Sequence, residues 1–130
     1  MSRAVVPAFF ADVVLVIAFA AIGRASHDEG ILGPGGTGLV ETSWPFLVAL
    51  VVGWVVTLAW RRPLAPLRTG LGVWAVTVAV GMLLRAISGQ GTALAFIVVA
   101  SVTLLVLLVG WRVVMALVTR GRARATRTEG

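Results

Sequence analysis

Asp12 stands inside an otherwise apolar run, eight residues beyond Ala4 and about 12 Å along a helix from it. Placing an ionisable group at that depth costs roughly 2.5–3.5 kcal/mol, so the side chain must face protein or water rather than lipid. Such an acid can carry a proton or hold a cation; it can also serve only as a hydrogen-bonded packing residue. Counting from the ends of the other apolar runs gives it companions. Thr77 lies eight residues beyond Thr69, and Thr103 lies eight residues before Trp111, with Ser101 beside it. The expectation is one polar layer of Asp12, Thr77, Ser101 and Thr103, read either as part of a transport path or as interhelical glue. A second cluster, Arg24, His27, Asp28, Glu29 and Arg85, falls beyond the far ends of the first and third runs, with Glu41 nearby. On a continuous helix His27 stands about 22 Å above Asp12 on nearly the same face, so this cluster is expected to form an outer mouth. Its bland alternative is a solvated loop with local ion pairs.

Other chemistries fare worse. A single His is too few for a metal centre, so no metal is expected. Ser26, His27 and Asp28 are consecutive, and neighbours on a helix point apart, so they form no catalytic triad. There is no Cys and no Tyr, and no paired acid–base motif. The expectation is a protein that is not an enzyme and takes no cofactor.

The elements that must hold these residues follow from composition. The chain has 130 residues, 59% hydrophobic and 12% charged, where soluble domains carry about 25% charge. Mean hydropathy is +1.03. Four apolar runs, 4–23, 44–60, 69–88 and 93–111, approach the 17–25 residues that a spanning helix needs. The fold expected is all-α: an integral membrane four-helix bundle over residues 1–118, followed by a basic, disordered tail over 119–130. Small residues on stripes, Gly53 with Thr57 and Gly81 with Thr77, are expected at helix contacts. Ser43 is expected to cap the second helix, with Pro45 in its first turn.

Orientation follows from arginine counting. Arg3, Arg61, Arg62, Arg68, Arg112, Arg120, Arg122, Arg124 and Arg127 fall on one side, against Arg24 and Arg85 on the other. The positive-inside rule then puts both termini in the cytoplasm, with the first run retained as a helix in the plasma membrane. The net charge of +6 is read as topology and as attraction to anionic headgroups rather than nucleic-acid binding.

FADVVLVIAFAAIGRASHDEG, the WPFLV that opens the second run, and TGLGVWAVTVAVGMLLRAISGQGTALAFIVVA carry a family resemblance. Asp12, Gly23-Arg24, Ser26-His27, Trp44-Pro45, and Gly81 with Arg85 are its marks. The chain resembles the bacterial and archaeal membrane family catalogued as domain of unknown function 3054, over about residues 4–111. The resemblance implies a four-helix membrane protein and brings no activity and no site residue with it. The function expected is a small transporter or channel, possible coupling to protons running through Asp12. The alternative is an accessory subunit of a membrane complex with no transport of its own. The partners expected are the lipid bilayer and either further copies of the chain or another membrane protein.

Overall fold

The computed structural model describes residues 3–26 and 37–129. Four helices make up the chain: α1 (Val5–Ser26), α2 (Gly38–Thr57), α3 (Leu71–Ile87) and α4 (Leu94–Glu129), with no strand among the described residues. Each is long and apolar enough to cross a membrane, α3 together with the helical turn Pro66–Gly70 that leads into it. In lipid a helix satisfies its own backbone, which is why such apolar runs take this form. The protein is an all-helical, multi-pass membrane protein. Its outward surface agrees with that solvent: Val14, Val55, Val98 and Val106 are all exposed.

The helices pack as a ring, each against the next in chain order, with α4 closing back on α1. The α2–α3 contact is the tightest, and glycine makes it so. A Cβ on Gly81 would stand 2.6 Å from Phe46 Cδ1, and one on Gly72 would stand 2.7 Å from Thr57 Cγ2. Gly53 lets α2 approach the Val73 carbonyl of α3. Lipid tails are as apolar as the core, so close packing of this kind, rather than water exclusion, holds such helices together. Thr57 returns its hydroxyl to the Gly53 carbonyl at 2.7 Å, so that hydroxyl is not left unpaired at the contact. Within the ring, Val16, Leu50, Val73, Leu104 and Leu108 are buried, and Phe19 and Phe46 meet edge-to-face at 5.1 Å.

Three boundaries differ from expectation. Helix α2 begins at Gly38, so Pro45 lies within it rather than in its first turn, and Ser43 is not its cap. Pro45 has no N–H to give to the Glu41 carbonyl one turn back. Gln90, from the α3–α4 connection, supplies the missing donor: its Nε2 reaches Glu41 O at 3.0 Å. The turn chemistry expected of Ser43-Trp44-Pro45 is thus replaced by a tertiary hydrogen bond.

The second difference is α4. It does not stop at Trp111, and the expected disordered tail from Thr119 continues it as helix to Glu129. Val113–Val118 is as apolar as what precedes Arg112, and over 120–127 the Arg and Ala residues favour helix strongly enough to carry it through Gly121.

The third is the connection from α2 to α3. Leu58 takes a left-handed conformation (φ 53°, ψ 47°) that closes α2, and its N–H returns to Val55 O at 3.3 Å. A π-helical turn, Pro66–Gly70, then leads directly into α3.

Candidate functional site

The bundle concentrates its polar chemistry at two ends. At the first, Asp12 of α1 is fully buried and meets Arg112 of α4, also fully buried. The pair is bidentate. Arg112 Nη2 donates to Asp12 Oδ2 at 2.6 Å, and Nη1 donates to Oδ1 at 2.9 Å. Two indoles complete the carboxylate: Trp54 Nε1 donates to Oδ2 at 2.8 Å and Trp111 Nε1 donates to Oδ1 at 2.9 Å. Each oxygen therefore accepts two hydrogen bonds, about the capacity of an ionised carboxylate.

The guanidinium is held as firmly. Arg112 Nε donates to the Pro63 carbonyl and Nη1 to the Leu108 carbonyl, both at 2.8 Å. The first bond ties the α2–α3 connection to α4. The second shows that the side chain runs back one turn toward the start of its helix, the usual direction for long helical side chains. Gly70 allows the approach, since a Cβ there would stand 3.3 Å from Arg112 Cδ. Trp54 also packs edge-on to Phe9 at 5.3 Å. Helices α1, α2 and α4 and the α2–α3 connection thus all bear directly on one buried ion pair.

Asp12 does not pair with the expected layer. Thr77 is buried, and its Oγ1 has no hydrogen-bond partner among the described residues. The Gly53–Val73 and Phe46–Gly81 contacts set the register of α2 on α3. They place Thr77 opposite Ala49 and Leu50, more than a turn away from Trp54. Ser101 contributes its carbonyl, which accepts from Trp74 Nε1 at 2.8 Å. Thr103 is half-buried on α4, nine residues before Arg112. The depth count took Trp111 as the end of its span, whereas α4 runs on, and that error misplaces every residue counted from it.

Arg112, Trp54 and Trp111 are the residues that the sequence reading missed. Arg112 looked like one more topology-setting arginine after an apolar run. The signal against that reading was the apolar VVMALV of 113–118 beyond it, which keeps Arg112 inside the hydrophobic stretch. Trp54, a buried indole three residues before the end of α2, needed an acceptor.

The second polar end lies at the far ends of α1 and α3. Among the described residues, Arg24, Thr42 and Arg85 line both a narrow chamber of about 80 Å³ and a wider cavity of about 470 Å³. Phe19, Ala20, Gly23 and Phe96 complete the chamber. Glu41, Trp44, Ser88, Gln90 and Gly91 complete the outer cavity. Arg24 Nη1 donates to Thr42 Oγ1 at 3.0 Å. Arg85 lies over the Phe96 ring, 4.1 Å from its centroid, and donates to Gln90 Oε1 at 2.9 Å and to Gly91 O at 3.0 Å. The expected outer cluster is thus represented by Arg24, Arg85 and Glu41, brought together with Thr42 and Gln90. His27, Asp28 and Glu29 lie outside the described residues. Among the described residues no three His, Cys, Asp or Glu side chains gather as metal ligands would.

Residues 9–115 match the model of a family described as "Protein of unknown function (DUF3054)". No curated protein and no solved structure matches the chain. The matched segment contains Asp12, Trp54, Trp111 and Arg112, and it also contains Arg24 and Arg85.

Proposed function

The chain belongs to the protein family of unknown function DUF3054, and we propose that this member is a small transporter of the plasma membrane, with a cavity among the described residues at its Arg24/Arg85 end and a closed Asp12 end. The observation that carries the reading is the contrast between those ends. Among the described residues a chamber lies beside Arg24 and Arg85 and joins a wider cavity, whereas Asp12 and Arg112 close the opposite end with a fully buried ion pair. Thr77 supports it. A buried hydroxyl without a partner is uncommon in a static core, and this one stands on the bundle interior between the two ends. Hydration of that hydroxyl in another conformation gives it the partner it lacks here.

Arginine counting gives the orientation. With Arg112 removed to the interior, eight arginines remain at the Asp12 end, against Arg24 and Arg85 at the other. On this reading both termini are cytoplasmic, the chamber faces outward and the ion pair is the inner gate. Proton coupling enters at the gate: a proton taken up by Asp12 removes the charge that holds the Arg112 guanidinium. Two or more copies would thicken the thin wall that four helices make around a path. No bond-making chemistry is assigned to the chain.

A second reading has its own support. Asp12 accepts as many hydrogen bonds as a carboxylate can, which also suits a permanent clamp in an accessory subunit. Proton and ion flux into liposomes containing the purified protein separates the two. The transporter reading expects flux in the wild type and its loss in Asp12→Asn, with the helical fold retained. Absence of flux from folded wild-type protein overturns it and directs attention to a co-purifying membrane partner.

A further inference from the structure

Among the described residues two apolar grooves run along α1, and they differ in the charge at their mouths. The deeper one lies at the level of Asp12, between Pro7, Phe10, Val14 and Trp111. The one arginine that adjoins its lining in sequence, Arg112, is buried against Asp12. The other groove, of about 510 Å³, runs between α1 and α2 and is lined by Val5, Val6, Phe9, Phe10, Trp54 and Trp60. Three arginines stand at its mouth: Arg3, two residues before Val5, and Arg61 and Arg62, directly after Trp60. All three are exposed, and none has a side-chain partner among the described residues.

We propose that this second groove is a binding site for an anionic phospholipid, with one acyl chain along the groove and the phosphate at Arg3, Arg61 and Arg62. Length fits a chain in one leaflet. From Trp60 to Trp54 the groove descends about 9 Å, against about 15 Å for half of a hydrocarbon core. It therefore takes the part of a chain nearest the headgroup. The inner wall is Trp54, whose N–H holds Asp12, so the chain packs against an indole of the ion pair.

Charge selects the headgroup. The start of α1 and the end of α2 meet at the mouth with helix dipoles of opposite sign, about half a charge each. These cancel, and the three guanidiniums decide. No acidic residue competes for them. Asp12 is buried in its pair, Glu41 lies at the far end of α2, and Asp28 and Glu29 follow the far end of α1 in sequence. Glu129 ends α4 about 25 Å beyond Arg112. Trp60 adds a donor. Trp54, Trp74 and Trp111 each give their N–H to an acceptor, whereas the Trp60 N–H has none among the described residues. An ester or phosphate oxygen at the mouth suits it.

The segment that presents Trp60, Arg61 and Arg62 is fixed beforehand. Ala59 is buried, the Arg62 carbonyl accepts from Thr69 Oγ1, and the Pro63 carbonyl accepts from Arg112 Nε. A held backbone lowers the ordering cost of binding. On the orientation that arginine counting gives, the site opens to the cytoplasmic leaflet, the anionic one. It does not rest on the transport reading, since an accessory subunit would bind the same lipid.

The test uses the full chain in bilayers of equal parts phosphatidylcholine and phosphatidylglycerol, with brominated chains on one lipid or the other. Composition and surface charge are the same in both preparations, so quenching of tryptophan fluorescence reports which lipid touches the indoles. The expected result is stronger quenching when phosphatidylglycerol carries the bromine, equivalent to a preference of about fivefold or more. Arg61→Gln/Arg62→Gln brings the preference close to parity. Arg120→Gln/Arg122→Gln, on the α4 extension, leaves it nearly unchanged. Equal quenching by the two lipids overturns the proposal on wild-type protein alone, whatever the variants do. A preference that survives in folded Arg61→Gln/Arg62→Gln overturns the site. Weak quenching by both lipids, with a dimer captured by cross-linking through α1, gives the groove to a second copy and overturns the proposal as well.

Discussion

The Asp12–Arg112 pair permits a quantitative test of how the bundle is held. Consider Asp12→Leu, Arg112→Leu and the double variant. Removing one partner of a buried pair leaves the other charge without its counter-ion and costs about 3–5 kcal/mol. Here each survivor keeps some partners. Asp12 alone retains the Trp54 and Trp111 N–H groups, and Arg112 alone retains the Pro63 and Leu108 carbonyls. Each single cost should therefore lie toward the lower end, about 3 kcal/mol. In the double variant no charge is buried. The remaining penalty is two indole N–H groups without acceptors and the Pro63 carbonyl without its donor, about 1 kcal/mol each at the lower end of the usual range, partly offset by leucine packing. The double variant is therefore expected to be more stable than either single one, with a coupling energy on the order of 3 kcal/mol. Unfolding in mixed detergent micelles, followed by tryptophan fluorescence, measures all four proteins. The signal is local, because two of the five tryptophans sit on the carboxylate. Single costs that add to within about 0.5 kcal/mol would mean the pair is not coupled as drawn, and would refute the reasoning.

Two further outcomes follow from the packing. Gly81→Ala places a methyl 2.6 Å from Phe46 and should destabilise by about 1–3 kcal/mol, whereas Gly23→Ala meets no atom within 4 Å and should be neutral or gain up to about 1 kcal/mol in helix propensity. Equal effects in the same unfolding assay would contradict the α2–α3 packing. Gln90→Ala strips the donor from the Glu41 carbonyl that Pro45 leaves open and should speed hydrogen exchange of the amides around Pro45. The double variant Gln90→Ala/Pro45→Ala, with its backbone N–H restored, should recover most of that protection.

Four apolar runs were legible because a lipid-spanning helix depends on composition alone, and composition is local. Asp12 was legible for the same reason: one acid in an apolar run marks itself by its cost. What it pairs with was not. Arg112 is 100 residues away, and its role depends on where α4 meets the membrane surface, which the apolar run ending at Trp111 does not mark. Trp54 and Pro45 follow the same pattern. An indole within an apolar run and a proline in mid-helix each declare an unsatisfied group, a donor in one case and an orphaned carbonyl in the other. The sequence names the need; only the tertiary arrangement says that Asp12 and Gln90 meet it. The mouth residues Arg24 and Arg85 were found by position after their runs, but Phe96 and Thr42, which orient them, carry no such mark.

The register of α4 makes one more prediction, and the absence of cysteine makes it simple to test. Asp12 lies seven residues above the start of α1 at Val5, about 10 Å. The Arg112 guanidinium that meets it lies at the level of the Leu108 carbonyl, one turn back from its own Cα. Carrying the same 10 Å along α4 from a point between Leu108 and Arg112 brings the membrane surface to residues 115–119. The span therefore includes Val113 and Val114, and only from about Arg120 does the helix enter water, where its arginines reach the headgroups. Single cysteines at Val114, Thr119 and Arg122, probed with a membrane-impermeant maleimide, should give protection at Val114, intermediate reaction at Thr119 and full reaction at Arg122. Both Val114 and Arg122 are exposed in the isolated chain, so burial in protein does not produce that gradient; lipid does. Rapid labelling of Val114→Cys would place Arg112 at the water interface. The ion pair would then lie in a medium of high dielectric constant, where it is worth little, and its role as a buried gate would fall with it.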